Sequence, residues 1–226
     1  MTVRVVALVP AFNEVRTISQ VVGGIAKYVD RVVVVDDASS DGTGDVARAR
    51  GAVVIRRAGD RGKGRAVRAG LADILAALDV SHIVMLDGDL QHLPEEAPRL
   101  ITAARETGAD LVVGERQFNR DTMPWARYYA NRCGSAALSS FLGVPLADTQ
   151  CGYRLFRADI LRRMRLRATG YDIETEMLIK ARRLGGRIAH VPVSAVYTGA
   201  PSKLRPVRDT TRTCFRAVFY RYIERV

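Results

Sequence analysis

The sequence predicts a single α/β domain, a mostly parallel central sheet with helices on both faces, and three observations predict it. Short apolar runs alternate with helix-length segments in the order β-α-β-α-β-α-β-α-β through the first half of the chain. Several of those runs are continuously apolar, as strands buried on both faces are. The chain has 226 residues, 48% of them hydrophobic, enough to bury one sizeable core.

The elements follow in order. Residues 3–9 form an apolar run closed by Pro10, and Ala11-Phe12-Asn13-Glu14 leads into a helix to about residue 28. A second strand over 31–35 ends in Asp36-Asp37. The turn-rich string 38–43 then caps a helix reaching about residue 50. A short strand at 53–55, a Gly-rich loop at 59–64 and an Ala/Leu-rich helix over about 65–78 come next. A fourth apolar run begins at Ser81 and runs out into Leu86-Asp87-Gly88-Asp89-Leu90-Gln91-His92. A helix opens at Pro94 and reaches about residue 107, and a strand follows at 111–113. The second half is less regular: a polar loop at 148–152 precedes a strand, a helix carries Met177, Leu178 and Ala181 on one face, and 188–193 reads as a strand.

In open sheets of this kind ligands bind beyond the C-terminal strand ends. Three polar clusters fall there: 10–14, 36–41 and 87–91. Asp87 and Asp89 are one residue apart, and alternate residues of a strand point the same way, so both carboxylates can aim at one point. A solvated turn would carry the same residues, but like charges so placed are relieved by a cation, and hard divalent ions take oxygen ligands. The loop 59–64 lacks the hydroxyl of a P-loop after Lys63, and the first β-α turn has no glycines, so a P-loop NTPase and a dinucleotide-binding dehydrogenase are both disfavoured.

Lys and Arg total 35 against 24 Asp and Glu, a net charge of +11 that calls for an anionic partner. No nucleic-acid motif organises this charge, and acids cluster where a groove would be, which argues against a nucleic-acid-binding protein. Cys133, Cys151 and Cys214 show no C-x-x-C spacing and suit a reduced compartment. Neither a signal peptide nor a run of eighteen apolar residues is evident, so no membrane span is expected in this chain. His82, His92 and His190 lack metal spacing and read as structural.

Five motifs in order, Val9-Pro10-Ala11-Phe12-Asn13-Glu14, Val35-Asp36-Asp37 through Thr43, Gly62-Lys63-Gly64, Leu86-Asp87-Gly88-Asp89 with Gln91-His92, and Asp148-Thr149-Gln150-Cys151-Gly152-Tyr153-Arg154, resemble family 2 glycosyltransferases of the GT-A fold. Within these the chain is similar to the dolichol-phosphate mannose synthase and polyprenyl-phosphate glucose synthase group, over about residues 3–205. The resemblance implies a Rossmann-like catalytic domain over 1–205, with a nucleotide-sugar half (1–115) and an acceptor half (116–205), followed by a C-terminal amphipathic helix (206–226). It implies donor contacts from Pro10, Ala11, Glu14, Asp36, Asp37, Lys63, Asp87, Gly88 and Asp89, and a Mg²⁺ or Mn²⁺ ion held by Asp87, Asp89 and Gln91.

Acceptor phosphate would meet Arg116, Arg127, Asn131, Arg132, Ser202 and Lys203, with Asp89, Arg116 and Arg127 carrying the catalysis. Glu115 departs from the family's usual Gly-Ser-Arg. Resemblance also places Glu174 or Glu176 near the sugar, although both could simply be favourable charges at a helix start. The expected reaction is inverting transfer of mannose or glucose from GDP-mannose or UDP-glucose to a polyprenyl phosphate. A saccharide or protein hydroxyl is the alternative acceptor. The Arg-rich 206–226 helix suits an anionic membrane surface at the cytoplasmic face, or packing on the domain or on a partner such as a membrane-anchoring subunit.

Overall fold

The computed structural model describes residues 4–116, 139 and 148–196. Arg127, Asn131, Arg132, Ser202, Lys203 and the 206–226 helix lie outside the described residues. The first half runs β1 (Val5–Ala11), α1 (Ile18–Ile25), β2 (Arg31–Asp36), α2 (Thr43–Ala49), β3 (Val53–Arg56), α3 (Lys63–Ala77) and β4 (His82–Met85). A 3-10 turn at Pro94–Glu96 leads into α4 (Ala97–Thr107) and β5 (Leu111–Arg116). After these come β6 (Arg154–Arg157), α5 (Ala158–Arg162), α6 (Ile173–Arg183) and β7 (Ile188–Val193).

The seven strands lie in the order β3-β2-β1-β4-β6-β5-β7. All neighbours pair parallel except β6, which is antiparallel to both β4 and β5. Alternation within each strand feeds two apolar layers. Val6, Leu8, Val33, Val35, Ile83 and Met85 pack with α3 and α6 on one face. Their neighbours Val5, Ala7, Val9, Val32, Val34 and Val84 pack with α1 and α4 on the other. The sheet is therefore buried from both sides, which is why β1, β2 and β4 are made mostly of apolar residues, Val above all.

The inversion of β6 positions the site. In its register Arg154 lies opposite Met85, the last residue of β4, and Val113, midway along β5, so β6 begins where β4 finishes. The loop 148–153 is thereby delivered to the C-terminal edge of the sheet. Helix α1 is shorter than the sequence pattern predicts, because Asn13 takes a left-handed conformation (φ 52°) and 14–17 form a turn in which the Glu14 carbonyl accepts the Thr17 and Ile18 N–H groups.

Helix α6 carries an ion pair that is fully buried. Lys180 Nζ lies 2.8 Å from Glu176 Oε1 with both side chains at 0% exposure. Glu176 also accepts the Ala168 N–H at 2.7 Å and the Arg167 N–H at 2.8 Å, while Lys180 donates to the Arg165 carbonyl. Glu176 is thus a strut between α6 and the 165–168 loop, with no face toward the strand-end acids. Lys180→Met strands its charge, and urea unfolding is expected to show a loss of about 3 kcal/mol, the scale of breaking a buried pair from one side. The double variant Glu176→Gln/Lys180→Met should regain part of that loss. Equal midpoints for Lys180→Met and the parent would contradict this reading.

Candidate active site

Four strand ends and two loops build the site. β1 and β2 finish side by side, with Ala11 opposite Asp36, and the Asp37 N–H donates to the Ala11 carbonyl at 2.9 Å. Pro10 sits in β1 past its last pairing with β4, Leu8 opposite Met85, so its missing N–H interrupts no part of that register. Buried Asp36 accepts the Ser39 N–H at 2.9 Å. Buried Asp37 pairs with Arg57 and accepts the Gly62 N–H at 2.6 Å. Both carboxylates, expected as donor contacts, are thus also engaged in holding the 38–44 turn and the 57–62 loop against the sheet.

The first two motifs turn out to be one interlocked unit. The Asn13 N–H donates to Ser39 Oγ at 2.9 Å, and the Ser40 N–H returns a bond to Asn13 Oδ1 at 3.0 Å. The Glu14 N–H donates to Thr43 Oγ1 at 2.8 Å and the Val15 N–H to Asp41 Oδ2 at 3.1 Å. Sequence reasoning missed Asn13, Ser39, Asp41 and Thr43 as positioning residues; their short side chains, suited to bonding nearby backbone, were the available signal.

Beyond β4, Asp87 and Asp89 are half-buried around Gly88. A Cβ at Gly88 would stand 3.2 Å from Ala11 Cβ, and the Gly88 carbonyl accepts Thr17 Oγ1–H at 2.7 Å, so the turn is pressed onto the end of β1. Lys63, at the start of α3, places Nζ 2.6 Å from Asp87 Oδ1, 2.8 Å from Asp87 Oδ2 and 2.5 Å from Glu174 Oε1. Burial would raise the Asp87 pKa, but the Lys63 ammonium holds it below the usual carboxylate range. Among the described residues Asp89 makes no ion pair: burial, then repulsion from Asp87, push it up to about 6, and Glu14 adds to the push, although the Gln91 N–H, which donates to it at 3.1 Å, and Lys63 oppose it.

The third wall is the 148–153 loop. Arg116, at the end of β5, donates twice to Asp148, at 2.5 and 3.0 Å. Burial would raise the Asp148 pKa, yet Arg116 and nearby N–H groups hold it low. A Cβ at Gly152 would lie 2.7 Å from Asp87 Oδ2 and 3.2 Å from Lys63 Nζ, so only glycine lets this loop close against the pair. Cys151 is buried with its thiol pushed up to about 12, and its Sγ lies 3.7 Å from Nε2 of buried His92. The His92 imidazole, pushed down to about 4 by burial and then by Arg116, is neutral and packs against Tyr153. Neither is placed as a nucleophile or base.

Arg154 is 1% exposed and donates to the carbonyls of Cys151 (2.8 Å), Thr149 (2.7 Å) and Glu174 (2.5 Å), tying the loop to α6. Sequence reasoning gave it no role. Glu115, the departure from the family pattern, stands 3.2 Å from His190 Nδ1 on β7. Of the two acids at the start of α6, Glu174 reaches the site through Lys63.

The residues expected to hold a divalent ion fit one. Asp87, Asp89 and the Gln91 amide offer hard oxygen donors in one turn, and a cation there would favour the ionised form of Asp89 that burial and Asp87 disfavour. Among the described residues no group of three or more His, Cys, Asp or Glu forms a protein-only metal cage. Two carboxylates with substrate phosphate completing the shell is the ordinary arrangement for Mg²⁺.

Known proteins resemble this chain over most of its length. An undecaprenyl-phosphate mannosyltransferase of Micrococcus luteus is 38% identical over 207 residues, covering 85% of this chain and 84% of that protein. A polyprenol monophosphomannose synthase of Mycolicibacterium smegmatis is 31% identical over 207 residues, covering 85% of this chain and 77% of its own. Among solved structures, glucosyl-3-phosphoglycerate synthase of Mycobacterium tuberculosis in complex with Mn²⁺ and UDP-glucose superposes with a TM-score of 0.74 at 27% identity, over 96% of this chain and 78% of that one. The sequence model for glycosyl transferase family 2 matches residues 6–165, and the chain belongs to that family.

Proposed function

We propose that this glycosyltransferase moves a hexose, mannose or glucose, from a nucleotide-sugar to a polyprenyl phosphate with inversion at the anomeric carbon. The observation that carries the donor half is the Asp87/Asp89 pair at the end of the central strand β4, one acid paired with Lys63 and the other pushed up by burial and then by its neighbour. The acceptor half is supported by the activities named for the two relatives at 38% and 31% identity.

Asp87, Asp89 and Gln91 would hold Mg²⁺ or Mn²⁺, which when bound supplies charge neutralisation for the departing nucleoside diphosphate. Pro10, Ala11, Glu14 and the floor built by Asp36 and Asp37 would seat the nucleoside, with Gly88 allowing close approach. A phosphate acceptor is already ionised at neutral pH, so the chain needs to align two anions rather than withdraw a proton. The bonding of its acids suits that requirement: Asp148 is committed to Arg116, Glu174 to Lys63 and Glu176 to Lys180. A hydroxyl acceptor would instead require one of them poised as a base. Arg116 lies at the site edge, with Arg127, Asn131, Arg132, Ser202 and Lys203 as further acceptor contacts from outside the described residues.

No helix among the described residues is long and apolar enough to cross a membrane. The reading places the enzyme peripherally at a cytoplasmic membrane face, with the 206–226 segment or an anchoring subunit as the attachment. Incubation with radiolabelled GDP-mannose or UDP-glucose, a short-chain polyprenyl phosphate and Mn²⁺ is expected to yield an organic-extractable sugar lipid, abolished by EDTA. Label transferred only to a soluble saccharide or protein would reject the acceptor assignment.

A further inference from the structure

Helix α3 buries one face on the sheet, and another opens onto a groove of 860 Å³. The α3 wall is formed by Arg65, Arg68, Ala69, Ala72, Leu75 and Ala76, an i, i+3, i+4, i+7 stripe. At 1.5 Å per residue this stripe is about 16 Å long, three helical turns. Leu161, Met164 and Leu166 form the opposite wall, with Arg162 at its mouth. The three alanines leave a channel, and the arginines stand at its rim.

Charge defines what fits. No carboxylate lines the groove. Asp60 and Asp159 touch Arg65 (3.5 Å) and Arg162 (2.9 Å) from outside, but their side chains are 87% and 79% exposed, so these are solvated pairs of little strength. Exposed Arg163 and Arg165 adjoin the rim, so arginines outnumber the carboxylates there. An apolar floor below a cationic rim is complementary to an amphipathic helix with an apolar ridge and acidic flanks. The chain's own 206–226 segment carries Arg208, Arg212, Arg216, Arg221 and Arg225, the wrong sign for this rim. A bilayer would need apolar side chains standing above the surface. Among the described residues the exposed large hydrophobics are Val53 and Tyr171, and neither lines the groove.

We infer that the α3–α5 groove is a docking site for an acidic amphipathic helix of a partner protein. Of its lining residues Arg57 alone reaches the strand-end site, through its pair with Asp37, and none is an acceptor contact, so the inference stands apart from the acceptor assignment. The probe is a fluorescent synthetic helix with leucines at i, i+3, i+4 and i+7 and glutamates on the flanks, compared with its lysine counterpart and with phosphatidylglycerol vesicles. Anisotropy is expected to show saturable, salt-sensitive binding of the glutamate peptide and none of the lysine peptide. Arg68→Glu/Arg162→Glu should weaken the first at least tenfold and create binding of the second. Ala72→Trp, which fills the channel at an exposed position without changing charge, should also abolish binding. Both variants should retain sugar-transfer activity. Equal binding of the two peptides, absence of saturable binding, or loss of vesicle binding as the sole effect of the substitutions would overturn the proposal.

Discussion

Replacement of Asp89 by alanine is expected to lower sugar transfer by about 10³-fold, since several kilocalories of charge stabilisation on the leaving diphosphate depend on the ion this acid would hold. The same variant is expected to fold at least as well as the parent. Burial and the neighbouring Asp87 raise the Asp89 pKa to about 6, above the value near 3.9 of an unfolded aspartate. A group raised in this way favours the folded state at pH below its unfolded value, and that contribution is lost as pH rises through about 6. At neutral pH and without metal, the ionised Asp89 therefore weighs against folding, and its removal should raise the melting temperature. At pH 4 the two proteins should converge. Thermal melts in EDTA at both pH values, set beside the transfer rate, separate lost chemistry from lost structure. Near-parental turnover would remove Asp89 from the reaction, and a lower melting temperature at neutral pH would refute the electrostatic account.

That two-sided behaviour has a counterpart in what the sequence could disclose. Strand ends were legible because a doubly buried strand is a run of apolar residues, and the acids that interrupt such runs, Asp36 and Asp87, mark its C-terminal edge. The metal-site candidates were legible for the same reason. Direction was not: β6 is Arg154-Leu155-Phe156-Arg157, and nothing in those residues states that it runs antiparallel between β4 and β5. Yet that inversion brings Gly152 against Asp87 and Arg116 against Asp148. Nor could spacing separate Glu174 from Glu176. Two residues apart on a helix they point about 200° from each other, so one meets Lys63 and the other is sealed against Lys180. Arg154 was hidden for a related reason. Its partners are three backbone carbonyls, which leave no complementary side chain in the sequence to suggest a bond.

Lys63 is where these two kinds of information meet. The Gly-Lys-Gly loop shows that a cation is present near phosphate-binding geometry, but only the fold shows it bridging Asp87 on the β4 side to Glu174 on α6, with 14% of its side chain exposed. Lys63→Met leaves two carboxylates facing one another without a counter-charge. The expected result is a loss of about 3 kcal/mol at neutral pH together with near-complete loss of transfer. The pH dependence gives the sign. In the parent, Lys63 depresses the Asp87 pKa, so the stabilisation is present above the unfolded value near 3.9 and is lost as pH falls through the lower folded value. In the variant burial is no longer offset by Lys63 and raises that pKa, so acidification from pH 7 toward 5 should stabilise the variant more than the parent, whose own gain over that range comes from Asp89. Glu174→Gln in the Lys63→Met background should restore much of the stability and none of the activity. Lys63→Arg is not a conservative alternative, because Gly152 already approaches so closely that an added Cβ there would lie 3.2 Å from Nζ, and a guanidinium needs more room. A Lys63→Met protein with parental stability and the parent's acid limb would mean that Asp87 and Glu174 find other partners and that the bridge organises nothing.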